Sequence, residues 1–270
     1  MPKNWGTGGL LSPGAVHEED IAEIFADLAA GLGVRISVRP HFAQAAAWER
    51  ACPPSFTVVP HLVHVLDLDG GFDRVWRERF AGTARTAVRK AERSGLTVET
   101  DTTGRLIPQF YDLYLRWHER RARERRIPLV LARRIAQHRE PLRKFTLVAE
   151  RLQNACRVWV ARHEGEPVAA IIALVAGEHA YYWRGYSERD AVTRTRANDL
   201  LQRLAIEDAC LAGCRTYNMG QSGGVRSLMD FKQKLGARPV QTPEFRLERL
   251  PFNRSAGWHG RSPETSASVR

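Results

Sequence analysis

The hydrophobic period of this chain changes near residue 156, and that change restricts its fold more than any other feature. Upstream, apolar residues recur at helical spacing: Ile21, Ile24, Phe25, Leu28 and Leu32 in one run, Leu106, Phe110, Leu113, Tyr114 and Trp117 in another. Downstream, residues 157–162 alternate as a strand, 163–166 read as a hairpin turn, and 167–175 form an apolar strand. A second turn at 177–179 leads into the aromatic strand 180–186. Consecutive hairpins followed by helix, strand, helix and strand predict an α+β (mixed α/β) sheet, and they exclude a regularly alternating βαβ fold.

The remaining elements follow from the same reading. Residues 17–33 predict a helix, 34–38 a strand, 40–60 an irregular stretch broken at Pro53-Pro54, and 61–68 a second strand closed by Asp69-Gly70-Gly71. One basic helix is expected over 72–94, a strand over 96–100, a helix over 104–126, and further helix from Pro128 to about Asn154. Residues 187–195 read as a loop. The helix 196–212 carries a polar stripe of Asp199, Gln202, Arg203 and Glu207 opposite a wide apolar face. A strand at 215–219, a tight loop at 220–224, a helix to Leu235 and a strand at 238–247 complete the pattern. The expected organisation is a flexible leader (1–16), an N-terminal helix and strand segment (17–60), a main domain (61–250) and a disordered Ser/Gly/Arg-rich tail (251–270).

Composition narrows the class. The chain has 270 residues, 43% of them hydrophobic and 26% charged, which suits an ordinary globular protein and excludes collagen-like and disordered chains. No signal peptide opens it, and no apolar run reaches the ~18–20 residues of a membrane span, so a cytoplasmic location is expected. Cys52, Cys156, Cys210 and Cys214 form no C-x-x-C pair and read as small buried hydrophobes in a reducing compartment, with Cys210 and Cys214 sharing a helix face. The histidines complete no zinc set, so no metal is expected. The unusual bulk number is the charge: 41 Lys+Arg against 30 Asp+Glu, a net +11. The total alone fits RNA, DNA, anionic lipid or a phosphorylated small molecule. Much of it falls between Arg85 and Lys144, which makes it a localised surface.

Four motifs carry a family resemblance. They are the hairpin VWVARHEGEPVAAIIAL, the strand and helix YYWRGYS…RANDLLQRLAIEDACLAGC, the strand and loop YNMGQSGG, and LMDFKQKLGARPV with its Phe231-Lys232 pair. In this order the chain resembles the GCN5-related N-acetyltransferase (GNAT) superfamily, in the branch of the FemAB-type peptidoglycan aminoacyltransferases. Upstream, residues 64–99 resemble the strand and basic helix that precede the domain in that branch. The resemblance implies a GNAT-like fold, with a mostly antiparallel central sheet flanked by helices, and an acyltransferase activity on a primary amine. Two departures stand out. The branch has two tandem GNAT-like domains, and here the first is absent or a remnant within 17–60. The Q/R-x-x-G-x-G/A signature for acetyl-CoA is replaced by residues 190–197, DAVTRTRA, without glycine.

Candidate site residues follow from these matches. Lys232 matches the branch's FK lysine, implicated in stabilising the tetrahedral intermediate, with Phe231 packing beside it; the plainer reading is a solvated lysine. Arg194 and Arg196 would supply cation contacts to a donor where the glycine loop is missing. Asn218, Gly220 and Ser222, with Gly223, would shape the donor cleft or be plain turn. Asn218 stands where the branch often has an acid, so no general base is identified; His163, Glu164 and Glu166 lie on a turn. Tyr182, Arg184 and Tyr186 should share one strand face, with Tyr181 and Trp183 on the other. Arg184 is unusual in a central strand without an anionic partner, and with Tyr182 and Tyr186 it is a candidate for the substrate cleft. Arg85, Arg89 and Arg93 make one helical stripe, either a solvated face or a contact for a phosphate-bearing substrate or RNA. A second concentration of basic residues, 116–144, crowds arginines at one helix end, where the dipole also favours them.

The expected function is transfer of an acyl group from acyl-CoA, a co-substrate with no permanently bound cofactor, to the primary amine of an acceptor. The alternative donor is an aminoacyl-tRNA with a peptidoglycan acceptor, in which case an anionic lipid-linked substrate would be met by peripheral contact. A different class also fits the charge: a non-catalytic, basic nucleic-acid-binding protein on a GNAT scaffold. Against it, the chain carries no nucleic-acid recognition motif, and no specific DNA partner is expected.

Overall fold

The apolar run after Pro167 has no polar face because the strand it forms is covered on both sides. In the computed structural model, which describes Leu10 and residues 16–249, the chain runs α1 (Glu18–Ala30), β1 (Arg35–Val38), α2 (Ala45–Arg50), β2 (Thr57–Asp67), α3 (Gly71–Arg74) and α4 (Gly82–Glu92). It continues with β3 (Leu96–Asp101), α5 (Ile107–Glu124), α6 (Leu129–Arg139), α7 (Leu142–Leu152), β4 (Cys156–His163), β5 (Glu166–Ala176) and β6 (His179–Ser187). Last come α8 (Arg189–Thr195), α9 (Ala197–Leu211), β7 (Thr216–Gln221), α10 (Arg226–Lys234) and β8 (Arg238–Glu248). The expected leader, apart from Leu10 and Val16, and the expected tail lie outside the described residues.

Two compact units divide the chain. The smaller takes residues up to 63, 221–225 and those from 240; the larger takes 64–220 and 226–239. The main domain was expected to run on to residue 250, but most of β8 belongs to the small unit. In the small unit β1 pairs antiparallel with β8, and Phe25 packs edge-on against Trp48, Phe56 and Phe245 in one aromatic core. The stretch expected to be irregular contains α2, whose Trp48 is buried. Leu32, expected on the buried stripe of the first helix, is 98% exposed because α1 ends at Ala30.

In the large unit β3, β4, β5 and β6 pair antiparallel in sequence order, and β6 pairs parallel with β7. Alternation along the hairpin distributes side chains between two cores. Trp159, Ala161, Ala169, Ile171 and Ala173 face the side of α9; Val158, Val160, Ala170 and Ile172 face α5 and α7. The mostly antiparallel sheet flanked by helices is the architecture the motifs implied.

Several local expectations change. The single helix expected over 72–94 breaks at Phe80. α3 passes into a π-helical stretch (Val75–Arg79), Phe80 turns extended and buries its ring, and the Ala81 N–H donates 2.8 Å to the Lys234 carbonyl. The loop expected at 187–195 contains α8, because the Glu188 N–H is tied to the Val168 carbonyl at 2.9 Å and the turn that follows winds helically. The polar stripe of α9 is half inward. Asp199 and Gln202 are buried, bonded to Lys234 Nζ at 2.5 Å and the Tyr217 hydroxyl at 3.1 Å; Arg203 and Glu207 pair nearer the surface. Cys214 lies beyond the end of α9, so it does not share a helix face with Cys210.

The strand-face assignment of β6 is corrected by a bulge. Ile172 pairs with Arg184 and Ala173 with Tyr182, which leaves Trp183 as the extra residue and shifts the parity after it. Tyr182 therefore packs into the α9-side core, while Tyr186 packs with Tyr181 and Trp183 into the α5-side core. Tyr182 and Tyr186 do not share a face, and Arg184 sides with Tyr186. The Tyr182 ring covers Gly185 so closely that a Cβ there would lie 2.0 Å from its hydroxyl.

Gly236, just past α10, has φ +88°, and a Cβ there would lie 2.7 Å from the Arg79 carbonyl oxygen. Gly236→Ala is expected to cost about 2–4 kcal/mol, combining left-handed backbone strain with a backbone clash. The urea midpoint measures it; an unchanged midpoint contradicts this packing.

Candidate active site

β6 and β7 part company. Their parallel ladder runs from His179↔Thr216 to Tyr181↔Asn218, after which β6 continues to Ser187 and β7 to Gln221. Beyond that point the backbone groups of β6 and β7 no longer satisfy each other and need other partners. There the Asn218 Oδ1 accepts the Gly220 N–H at 2.8 Å, and Lys232 Nζ donates to the Gly220 carbonyl at 2.9 Å. Gly220 has φ +69°, and a Cβ there would sit 3.5 Å from the Tyr181 hydroxyl. Asn218, Gly220, Lys232 and Tyr181 thus form one constellation.

Lys232 is not a solvated helix lysine: it is 4% exposed. Burial pushes its ammonium down to about 8. The imidazole of His64, wholly buried on β2, is lowered from its ordinary value by burial and then by the positive charge of Lys232. Phe231 packs against the α9-side core under Lys234, whose Nζ lies 4.8 Å from its ring centre.

The other predicted residues fall elsewhere. Arg194 and Arg196 are exposed where α8 meets α9, and Arg196 adopts a left-handed backbone (φ 60°) that ends one helix and opens the next. Ser222 is buried and belongs to the small unit, where its carbonyl accepts the Val225 N–H at 3.0 Å. The guanidinium of Arg85 donates to the carbonyls of Trp76 and Arg77, at 3.3 and 3.2 Å, and to that of Phe80, so it ties off the end of the preceding helix. Arg89 is exposed, and its carbonyl accepts from Arg93 Nε.

Arg184, expected in the substrate cleft, is tied to an internal anion, Glu140. Glu140 receives Arg184 at 2.9 Å and Lys144 at 2.8 Å, and all three are largely buried. Lys144 Nζ and the Arg184 guanidinium lie 5.5 and 5.3 Å from the Trp183 ring centre, and the Tyr111 hydroxyl donates to the Glu140 carbonyl. Despite burial, hydrogen bonds from Arg184 and Lys144 hold the Glu140 carboxyl below its ordinary value. The Tyr186 hydroxyl is pushed far up, by burial first and by the Glu140 charge second.

Sequence reasoning missed His64, Tyr181 as a site residue, and Glu140. His64 sits in an alternating apolar strand, where an imidazole at a core position was the available signal. Glu140 precedes a proline between two helices and reads like surface. All four cysteines are free thiols, with Cys156 pushed up to about 12 and Cys210 to about 11 by burial, and among the described residues no cluster has the donors for a metal.

In the large unit, helices cover both faces of the sheet, and a buried lysine lies beside the end of the β6–β7 ladder. The sequence matches the family described as the acetyltransferase (GNAT) domain over residues 78–233. The chain belongs to this family and is an N-acyltransferase, which takes an acyl donor and an amine acceptor. Similar solved structures include the C-terminal DUF2156 domain of a candidate lysylphosphatidylglycerol synthetase from Agrobacterium fabrum, 15% identical with TM-score 0.54 over 85% of this chain and 72% of that one. L-PGS from Bacillus licheniformis is 14% identical with TM-score 0.50, over 83% of this chain and 70% of that one. FemX is 13% identical with TM-score 0.47, over 84% and 76%. At these identities the likeness is one of fold. No curated protein matches the sequence. Among the described residues no helix is long and apolar enough to cross a membrane.

Glu140→Gln leaves two buried cations without their counter-charge and is expected to cost roughly 3–5 kcal/mol. The Glu140 carboxyl is depressed in the folded state, so its stabilisation is complete above the ordinary carboxylate range and is lost as pH falls through its folded value. The variant's stability should therefore fall less steeply in acid than that of the parent. Urea midpoints across the acid range check both; parallel acid limbs contradict the pairing.

Proposed function

We propose that the protein transfers an acyl group from acyl-CoA to a primary amine at the end of the β6–β7 ladder, with Lys232 stabilising the tetrahedral oxyanion. The supporting observation is the buried Lys232 ammonium on the Gly220 carbonyl where the strand ladder stops. Burial disfavours this charge, and a cation kept at such a cost is a candidate functional group. In the reaction the neutral amine attacks the thioester carbonyl, a C–N bond forms, and charge gathers on the oxygen. The C–S bond then breaks, the thiolate leaves, and the amine proton passes to solvent. A preorganised donor at the oxyanion acts without reorganisation and is commonly worth 10²–10³ in rate. Arg194 and Arg196, exposed at the start of α9, would hold the donor's phosphates where the helix dipole also attracts anions.

A second donor, aminoacyl-tRNA, is favoured by one observation: residues 190–197 hold no glycine to bring backbone N–H groups onto a pyrophosphate. The two donors are separated by incubating the protein with acyl-CoAs and with aminoacyl-tRNAs against a panel of primary amines and reading mass gain. Ribonuclease-sensitive transfer contradicts the coenzyme A reading.

Lys232→Met should lower kcat about 100-fold or more while thermal stability is unchanged or raised. An unchanged kcat contradicts the role. Because the active form carries the proton, the pH–rate profile should fall as pH rises through about 8, where burial places the Lys232 ammonium.

A further inference from the structure

We infer that α6, with the corner that joins it to α5, is a docking surface for an anionic lipid bilayer. The helix is held to the protein along a narrow line. Ala132, Ala136 and Glu140 follow one another at i, i+4, i+8, Ala136 and Glu140 are buried, and the Tyr114 and Tyr111 hydroxyls donate to their carbonyls at 2.7 and 3.0 Å. The opposite face is turned outward and is aliphatic. Val130 is 71% exposed, Leu131 50% and Ile135 53%, at i, i+1 and i+5 of one helical arc, with Ile127 and Leu129 at the corner each 38% exposed.

This aliphatic face is set among arginines. Residues 123–139 contain Arg123, Arg125, Arg126, Arg133, Arg134 and Arg139 against the single acid Glu124, a balance of six to one. Arg133 is held by Glu119 at 2.7 Å, but Arg123, Arg125, Arg126, Arg134 and Arg139 form no ion pair among the described residues. The corner itself is fixed. Arg126 adopts a left-handed backbone (φ 56°), and the Ile127 N–H donates back to the Ala122 carbonyl at 2.9 Å, so the arginines and the aliphatic residues project from one ordered turn.

Exposed aliphatic side chains interleaved with arginine match a bilayer interface. The aliphatic residues enter the boundary of the acyl chains, and the guanidinium groups meet anionic headgroups. α6 has the length and charge of a helix that lies on a membrane, not of one that spans it. RNA fits less well, because single-stranded bases are held by aromatic platforms and this face presents Val, Leu and Ile.

The test is flotation of the full chain with vesicles of phosphatidylcholine containing about a third phosphatidylglycerol, against vesicles of phosphatidylcholine alone. The protein should float with the first at low salt and bind the second at least about tenfold more weakly. The triple variant Val130→Ser/Leu131→Ser/Ile135→Ser and, separately, Arg125→Gln/Arg126→Gln/Arg134→Gln should each reduce binding about tenfold, with acyl transfer to a water-soluble amine unchanged. Equal binding to both vesicles, or none to either, overturns the inference. So does full binding by the serine variant, which would reduce the effect to charge alone. A dimer in the parent that the serine variant abolishes, without vesicle binding, assigns the face to a second copy of the chain instead. This result is independent of the donor reading: vesicle binding can fail while transfer persists, and the reverse.

Discussion

Strands β4, β5 and β6 are covered on both faces, so a charged group among them must find its match inside the molecule. The hairpin's apolar residues divide between two cores, and little of the large unit's sheet is left to face water. Arg184 is matched by Glu140, which Lys144 also holds. Asp199 on α9 is matched by Lys234. Lys232, buried as well, donates to the carbonyl of Gly220, and burial lowers its proton equilibrium. The sheet's double burial therefore stabilises the fold and lowers the proton affinity of the Lys232 ammonium, the group proposed above to stabilise the oxyanion.

The same burial explains where the site lies. While β6 and β7 pair, their backbone groups satisfy each other. Beyond Tyr181↔Asn218 they diverge, and Asn218 turns its side-chain oxygen onto the Gly220 N–H while Lys232 takes the Gly220 carbonyl. Both backbone groups of Gly220 are thus hydrogen-bonded at the end of the ladder. The packing behind it is equally constrained: Gly236 and the Ala81–Lys234 hydrogen bond fix the end of α10 against residues 79–81, and through α10 they fix Lys232.

The hairpins, α9 and the sequence β7–loop–α10 were legible because apolar period and turn residues agree there, and Lys232 was legible through the motif that contains it. What escaped the sequence depends on register or on distant partners. The bulge at Trp183 is a property of how β6 pairs with β5, and nothing in the run Tyr181-Tyr182-Trp183-Arg184 announces it; it moves Tyr186 and Arg184 to the opposite face from Tyr182. Glu140 becomes part of a buried triad only because Tyr111, Lys144 and Arg184 converge on it from α5, α7 and β6. The basic helix broke at Phe80 because the backbone there is drawn to Lys234, more than 150 positions later in the chain. The positive charge localised between Arg85 and Lys144 resolves into distinct uses. Arg85 ties off a helix end, Lys144 serves a core triad, Arg133 pairs with Glu119, and the other arginines around α6 stand beside exposed aliphatic residues.

The central claim is that Lys232 is a buried ammonium whose proton equilibrium the fold has moved. Heteronuclear NMR of the lysine Cε and Nζ groups, titrated in the intact protein and assigned with Lys232→Arg, reads that equilibrium directly. The account predicts a midpoint for Lys232 near 8, set apart from the remaining lysines. A midpoint with the other lysines, close to the ordinary value of about 10.4, would contradict it.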